Sequence, residues 1–308
     1  MPAPGGPARL SGPVAVTGAS GRLGRAVVAA LHRDGFDVRP WSRPAYDLDQ
    51  PGAAARSIER DRPRLVVHTA AWTDVDGCAR DPVTARRRNA DAVGELAAAA
   101  AAAGSGLVHV STNEVFDGKR RDGRGYVEGD PPGPVNPYGE SKLAGERLAH
   151  DAYRRSGDGS GDLSAGLWIV RTSWLFGPPG NDFPARILAA RDRLAPGEAL
   201  RVVTDEIGTP TYTNDLAAAI LELVRRTPRG TYHLVNEGHV SRYGWAREVL
   251  RSCRRDDRID PIESTAWERP SRPPAWGVLD PSAAASLGIG LRPWQAAFAD
   301  YAPSLCPR

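Results

Sequence analysis

The stretch Pro13-Val14-Ala15-Val16-Thr17-Gly18-Ala19-Ser20-Gly21-Arg22-Leu23-Gly24 decides the fold. Pro13–Thr17 has the apolar run of a short buried strand, and Arg25–Arg33 continues in a helical apolar pattern. A strand, a glycine loop and a helix, in that order, place a phosphate at the helix N-terminus. The glycines let the backbone approach that phosphate and let the helix pack on the strand. Gly18, Ser20, Gly21, Arg22, Leu23 and Gly24 are therefore candidate dinucleotide-binding residues. The plainer alternative is a tight turn with close helix–strand packing.

Working outward, Phe36–Trp41 reads as the second strand, whose end chooses the cofactor. An acid there would accept the ribose 2′-hydroxyl of NAD, whereas arginine accommodates the 2′-phosphate of NADP. Arg39, Ser42 and Arg43 stand around this end, and no acid follows until Asp47. The reading is NADPH, with NADH as the alternative, and Asp47-Leu48 is placed to touch the adenine. Ala53–Arg60 suits a helix, and Arg64–Ala71 a third strand running into Ala70 and Ala71, small enough for a flat cofactor to lie close. Pro82–Ala103 reads as one long helix containing Asn89, and Leu107–Thr112 as the fourth strand, with hydroxyls at its carboxyl end, where open parallel sheets bind ligands. Asn113–Val135 is a long polar loop.

Asn136-Pro137-Tyr138-Gly139-Glu140-Ser141-Lys142-Leu143-Ala144-Gly145-Glu146 follows as a helix with proline in its first turn. Tyr138 and Lys142, four residues apart, share a face. A cation beside a phenol favours phenolate and eases transfer of its proton. The plainer reading is an exposed pair on an amphipathic helix. Among 40 Lys+Arg, only Lys119 and Lys142 are lysines, so a lysine here marks a place for a compact ammonium.

Leu167–Arg171 is the fifth strand. Strands alternating with helices predict an α/β fold, a Rossmann-like doubly wound parallel sheet. Beyond it, helices are expected over Asp182–Leu194, Asn214–Arg226, Trp245–Arg254 and Trp294–Tyr301, with strands near Leu200–Val203 and Thr231–Val235. The expected organisation is a flexible tail over 1–12, a dinucleotide-binding domain over 13–172 with 200–227 packing back on it, and a smaller C-terminal substrate-binding lobe over most of 173–308. Ser156–Ser164 is expected as a surface loop.

The content of 41% hydrophobic and 25% charged residues is that of a soluble globular protein. Charges are interspersed, and clusters such as Arg86–Arg88 look like solvated helix faces, which argues against nucleic acid as a partner. Cys78, Cys253 and Cys306 are few and scattered. That argues for free thiols in a reducing cytoplasm, with neither a disulfide framework nor a metal site. No apolar run suggests a membrane partner.

The glycine loop, a hydroxyl after the fourth strand and Tyr138-x-x-x-Lys142 together resemble the extended short-chain dehydrogenase/reductases. The finer likeness is to dTDP-4-dehydrorhamnose reductases and related nucleotide-sugar 4-ketoreductases. It is carried by Ala70-Ala71-Trp72-Thr73-Asp74-Val75-Asp76, Val110–Gly118, Asn136–Glu146, Arg171-Thr172-Ser173-Trp174-Leu175-Phe176-Gly177 and Asp205–Thr211. The resemblance implies reduction of the C4 ketone of a nucleotide-linked, dTDP-type 4-keto-6-deoxy sugar. Tyr138 would protonate the alkoxide, Lys142 would hold the nicotinamide ribose and lower the Tyr138 pKa, and Thr112 would bond the substrate oxygen. Thr73 and Asn89 would line the cofactor side. Asp76, Asn113, Glu114, Trp174 and Glu206 would line the substrate side. A nucleotide sugar and at most a second copy of the chain are the partners expected.

The chain departs from that family at Asn113-Glu114, where Asp-Tyr is usual, and at Glu206, where Gln is usual. Near the end, Arg272 stands one position from the usual Arg-Pro. Thr112-Asn113-Glu114 also resembles the Thr-Asp-Glu of nucleotide-sugar 4,6-dehydratases, although Asn113 cannot ionise. Dehydratase or epimerase chemistry and a non-catalytic NADP-binding regulatory subunit are the competing readings.

Overall fold

The computed structural model describes residues 12–156, 166–195, 197–226, 228–255 and 258–306. The expected tail over 1–12 lies outside this range apart from Gly12, and so does most of the expected loop over Ser156–Ser164.

The first half alternates as the sequence predicts: β1 (Val14–Thr17), α1 (Arg22–Arg33), β2 (Val38–Trp41), α2 (Ala53–Asp61), β3 (Leu65–His68), α3 (Val75–Arg80) and α4 (Pro82–Arg86). A π-helical turn over Arg87–Asp91 joins α4 to α5 (Ala92–Ala102), so the long helix expected over Pro82–Ala103 is widened at its middle. There follow β4 (Gly106–Thr112), a single 3-10 turn over Asn113–Val115, α6 (Pro137–Arg155) and β5 (Leu167–Thr172).

Then come β6 (Leu175–Phe176), α7 (Phe183–Arg191), β7 (Leu200–Val203), β8 (Ile207–Gly208), β9 (Thr211–Tyr212) and α8 (Thr213–Arg226). The chain ends with β10 (Gly230–His233), β11 (Val240–Ser241), α9 (Arg242–Ser252), β12 (Ile259–Ile262), α10 (Ser282–Ser286) and α11 (Trp294–Leu305).

Six strands form a parallel sheet in the order β2-β1-β3-β4-β5-β10. Alternate side chains point to opposite faces of a strand. Val14 and Val16 accordingly pack with α1 and α8, while Ala15 packs with α2, α5 and α6 on the other face. Strand order reverses between β1 and β3, and ligands bind such sheets beyond the carboxyl ends at that point.

The return of residues 200–227 to the sheet is divided. Helix α8 packs on α1, whereas β7 pairs with β12 away from the main sheet. Strand β10, which lies outside the expected dinucleotide domain, is the sixth strand of the sheet. A separate aromatic core around Phe176, Tyr212, Trp245, Phe298 and Tyr301 builds the C-terminal lobe.

One expectation is overturned. Cys253, just after α9, and Cys306, just after α11, are joined by a disulfide, and only Cys78 is a buried free thiol. The two ends lie 53 residues apart in sequence and meet because α9 and α11 pack together in the lobe core. Sequence spacing alone does not reveal that meeting. Among the described residues no helix is long and apolar enough to cross a membrane, and no group of side chains could hold a metal ion.

Candidate active site

The carboxyl ends of β1, β3, β4 and β5 open onto two cavities. The smaller, of about 300 Å³, is lined by Gly18, Ser20, Gly21, Ser42, Arg43, Asp47, Leu48, Ala70 and Ala71. The larger, of about 490 Å³, lies between the sheet and the C-terminal lobe and is lined by Arg22, Leu23, Thr73, Thr112, Asn113, Glu114, Tyr138, Lys142 and Trp174. Thr69 and Ala71 line both, so the two form one continuous cleft.

The glycine loop fits a dinucleotide. A Cβ on Gly24 would collide with the Gly18 carbonyl oxygen, so glycine is what lets α1 begin hard against the loop. The Ser20 amide donates to the Ser42 hydroxyl at 3.2 Å, tying the loop to the end of β2. Arg22 donates to the Gly180 carbonyl at 2.9 Å, while its Nε is buried without a partner and lines the large cavity. Ser111 and Thr172 hydroxyls and the Trp245 indole N–H are likewise buried, unpartnered and on the cavity wall. Buried polar groups are normally hydrogen-bonded, so these are groups ready for a polar ligand.

Asn136 caps α6, accepting from the Gly139 amide at 2.8 Å, with Pro137 in the first turn. This start fixes Tyr138 and Lys142 on the inward face. The Tyr138 phenol hydrogen-bonds the Thr112 side chain. Lys142 donates to the Val110 carbonyl at 2.8 Å. Burial lowers the Lys142 pKa to about 8, opposed by the Glu146 carboxylate.

Lys142 is not among the groups that shift the Tyr138 pKa. Burial raises the phenol pKa, the Glu114 charge raises it further, and the Thr112 hydrogen bond only partly offsets them. The ammonium is turned to a strand carbonyl instead. Burial and Glu114 therefore favour the protonated phenol.

Burial also raises the Glu114 pKa, opposed by the Asn136 hydrogen bond and by the Arg242 and Arg269 charges and reinforced by Glu206. Trp174 has a left-handed φ of 43°, uncommon for a large side chain. The Arg242 guanidinium covers one face of its ring at 3.6 Å, and Arg242 ion-pairs with Glu206 at 3.6 Å.

Five expected site residues line neither cavity, among them Gly24, which is packed against the loop backbone at the start of α1. Arg39, the second residue of β2, is turned to solvent and pairs with Asp37 at 2.8 Å. Asn89 is fully buried. It accepts from the Trp72 amide at 2.8 Å and donates to the Trp72 carbonyl at 2.9 Å and to the Ser141 hydroxyl at 3.1 Å. It therefore shapes the wall of the cleft from behind. Asp76 accepts from Arg269 at 3.0 Å and from the Ser271 amide at 3.2 Å, holding a distant segment against α3. Glu206 is spent on Arg242.

Other wall residues carried no motif. Arg88 stacks over Trp72 and pairs with Asp49 at 2.6 Å on the wall of the small cavity, so it is not the solvated charge expected of its cluster. Arg186, Arg242, Phe183 and Trp245 line the large cavity from α7 and α9. The one local signal for Arg88 was its place next to Asn89.

The chain is similar to known proteins over most of its length. Residues 13–305 match the family described as RmlD substrate binding domain. A dTDP-4-dehydrorhamnose reductase of Streptomyces griseus is 36% identical over 300 residues, covering 95% of this chain and 94% of that protein. The crystal structure of a dTDP-4-dehydrorhamnose reductase from Clostridium acetobutylicum shares the fold with a TM-score of 0.86 at 30% identity, over 95% of this chain and 99% of that one. The dTDP-4-dehydrorhamnose reductase of Bacillus anthracis, in complex with NADP, gives a TM-score of 0.84 at 28% identity, over 94% of this chain and 98% of that one. A match that runs from the first residue of the glycine-loop strand almost to the C-terminus takes in both the cleft and the lobe that closes it, and the chain belongs to the RmlD substrate binding domain family.

Proposed function

We propose that the protein is an NADPH-dependent reductase of the C4 ketone of a dTDP-linked 4-keto-6-deoxy sugar. The observation that carries this reading is the meeting of Thr112, Tyr138 and Lys142 in a cavity continuous with the glycine-loop cleft. When bound, NADPH supplies the hydride. Gly18, Ser20, Gly21 and Arg22 hold its diphosphate, Ser42 and Arg43 its 2′-phosphate, and Lys142 its nicotinamide ribose.

Thr112 and Tyr138 bond the ketone oxygen and stabilise the charge that develops on it. Tyr138 then gives its phenolic proton to the alkoxide. A phenol kept protonated by burial suits that task. Arg186 and Arg242, with the free Trp245 N–H, present cationic and donor groups to the nucleotide diphosphate of the sugar. NADPH and a nucleotide sugar as reactants suit a cytoplasmic enzyme. The dehydratase alternative requires a proton donor at position 113, and Asn113 spends its amide N–H on the Gly277 carbonyl at 2.9 Å.

The test mixes the protein with NADPH and dTDP-4-keto-6-deoxyglucose, with and without a 3,5-epimerase, and follows nicotinamide absorbance. Oxidation that needs the epimerase supports a rhamnose-type substrate. Oxidation without it supports a different deoxysugar. No oxidation with either, in protein that binds NADPH, overturns the reading.

A further inference from the structure

A ketone reduction needs one proton, and Tyr138 supplies it. Glu114 is therefore an unexplained acid on the cavity wall. It is also an awkward one, because its charge opposes the negative charge that must grow on the ketone oxygen.

Glu114 is built into the site. It follows Thr112 by two residues, and its amide donates to the Thr112 hydroxyl at 3.2 Å. One carboxylate oxygen accepts from Asn136 at 2.7 Å, and Asn136 is the residue that caps the Tyr138 helix. A Cβ on Gly139 would strike the Glu114 carbonyl oxygen, so glycine lets the helix start abut this turn. Carboxylate and phenol are thus held on neighbouring turns that line the same cavity, and the Glu114 charge disfavours phenolate at Tyr138. The second carboxylate oxygen has no hydrogen bond from the described residues.

We propose that this site, in addition to reduction, exchanges with solvent a hydrogen on a carbon adjacent to the substrate ketone, with the Glu114 carboxylate as the base. The inference rests on the reductase reading of the site. The same bonds from Tyr138 and Thr112 that prepare the ketone for hydride also make the neighbouring C–H acidic. The carboxylate takes that proton, and the C–H electron pair moves into an enolate whose oxygen is held by Tyr138 and Thr112. The carboxylic acid trades its proton with water, and a solvent proton returns to the same carbon as the ketone re-forms. Nothing is oxidised or reduced.

The step stops there for a structural reason. Expelling a hydroxyl would need an acid, and the Asn113 amide is committed to Gly277. With one base on one side, the hydrogen returns to the face it left, so exchange proceeds with retention. Burial makes Glu114 a stronger base than a free carboxylate, and the Arg242 and Arg269 charges oppose that shift.

The experiment holds the protein with NADP⁺, which has no hydride to give, and dTDP-4-keto-6-deoxyglucose in D₂O. Proton NMR follows the hydrogens next to the ketone. One signal is expected to disappear at least about 100-fold faster than without protein, the size of a general-base contribution. Glu114→Gln is expected to fall to the protein-free rate while still binding NADPH, which certifies its fold, and Glu114→Asp to keep part of the exchange. Exchange at the protein-free rate in wild type that oxidises NADPH with this sugar overturns this inference and spares the reductase reading. Exchange at the wild-type rate in Glu114→Gln does the same. Neither exchange nor NADPH oxidation overturns both.

Discussion

At the scale of single residues, the site is a division of labour between one buried phenol and one buried amine. Burial and Glu114 disfavour phenolate at Tyr138, and in the proposed reduction its proton goes to the alkoxide. Tyr138→Phe is expected to lower kcat by about 10²- to 10⁴-fold, the range for a lost general acid, with NADPH affinity nearly unchanged by fluorescence titration. Reduction at the wild-type rate would remove Tyr138 from the chemistry. Lys142 gives a pH dependence of its own. Burial favours the neutral amine, so the ammonium is lost as pH rises through about 8 instead of near its ordinary 10.5. The value of kcat/KM for NADPH, which reports the free enzyme, is expected to fall about tenfold per pH unit above that point. In Lys142→Arg, whose guanidinium stays charged, this limb is expected to disappear whatever the activity that remains. A flat wild-type profile to about pH 10 would show that the charge on Lys142 plays no part in NADPH capture.

At the scale of elements, α6, the helix that carries Tyr138 and Lys142, is held to the sheet by a buried charge pair. Arg171 of β5 donates twice to Glu146 of α6, at 3.0 and 2.7 Å, with both side chains under a tenth exposed. Removing one partner strands the other charge in a dry interior, so Arg171→Leu is expected to cost about 3–5 kcal/mol in urea unfolding. A loss below about 1 kcal/mol, the size of a surface pair, would mean that water reaches Glu146. The turn Arg87–Asp91 holds a second tie. Asn89→Ala leaves the Trp72 amide buried without an acceptor, a cost of about 1–3 kcal/mol, and is expected to weaken NADPH binding through the displaced cleft wall. That tie also explains what was legible in the sequence. Strand, glycine loop and helix are local patterns, so β1, α1 and the start of α6 could be read directly. Asn89 read as a cofactor ligand because its closeness to the cleft was visible and its direction was not. Arg39 read as a 2′-phosphate ligand from its place on β2, and its pairing with Asp37 was not visible as a direction either. Asp76 and Glu206 had partners at Arg269 and Arg242, far along the chain, and no local pattern announces such a partner. Arg242 itself, the first residue of α9, becomes part of the site only because the lobe folds over the sheet.

At the scale of the whole molecule, the parallel sheet and the C-terminal core are not built in the order of the chain. The sheet takes its last strand, β10, from residues 230–233, and one of its faces is covered by α8 from residues 213–226. Leu216, Ala217, Ile220 and Leu223 of α8 are fully buried, packed with α1 residues such as Val27 and Leu31 and with alternate residues of the strands. Withdrawing three leucine or isoleucine side chains and their facing partners forfeits roughly 1.5–3 kcal/mol for each large side chain. A domain is typically stable by only about 5–15 kcal/mol, so the loss is comparable with the whole. A fragment of residues 13–172, the domain suggested by the alternation of motifs, is therefore expected not to fold. It should give poorly dispersed amide NMR signals, no cooperative urea transition and no NADPH binding, although it contains every residue of the glycine loop and both Tyr138 and Lys142. The full chain should unfold in one transition that NADPH shifts, by about 2.7 kcal/mol at a hundredfold excess over its dissociation constant. A cooperative transition in the fragment would show that β10 and α8 are additions to a self-sufficient sheet. Its absence would place the dependence where the packing puts it, in a helix and a strand that reach the cofactor half of the molecule only after the chain has built part of the substrate half.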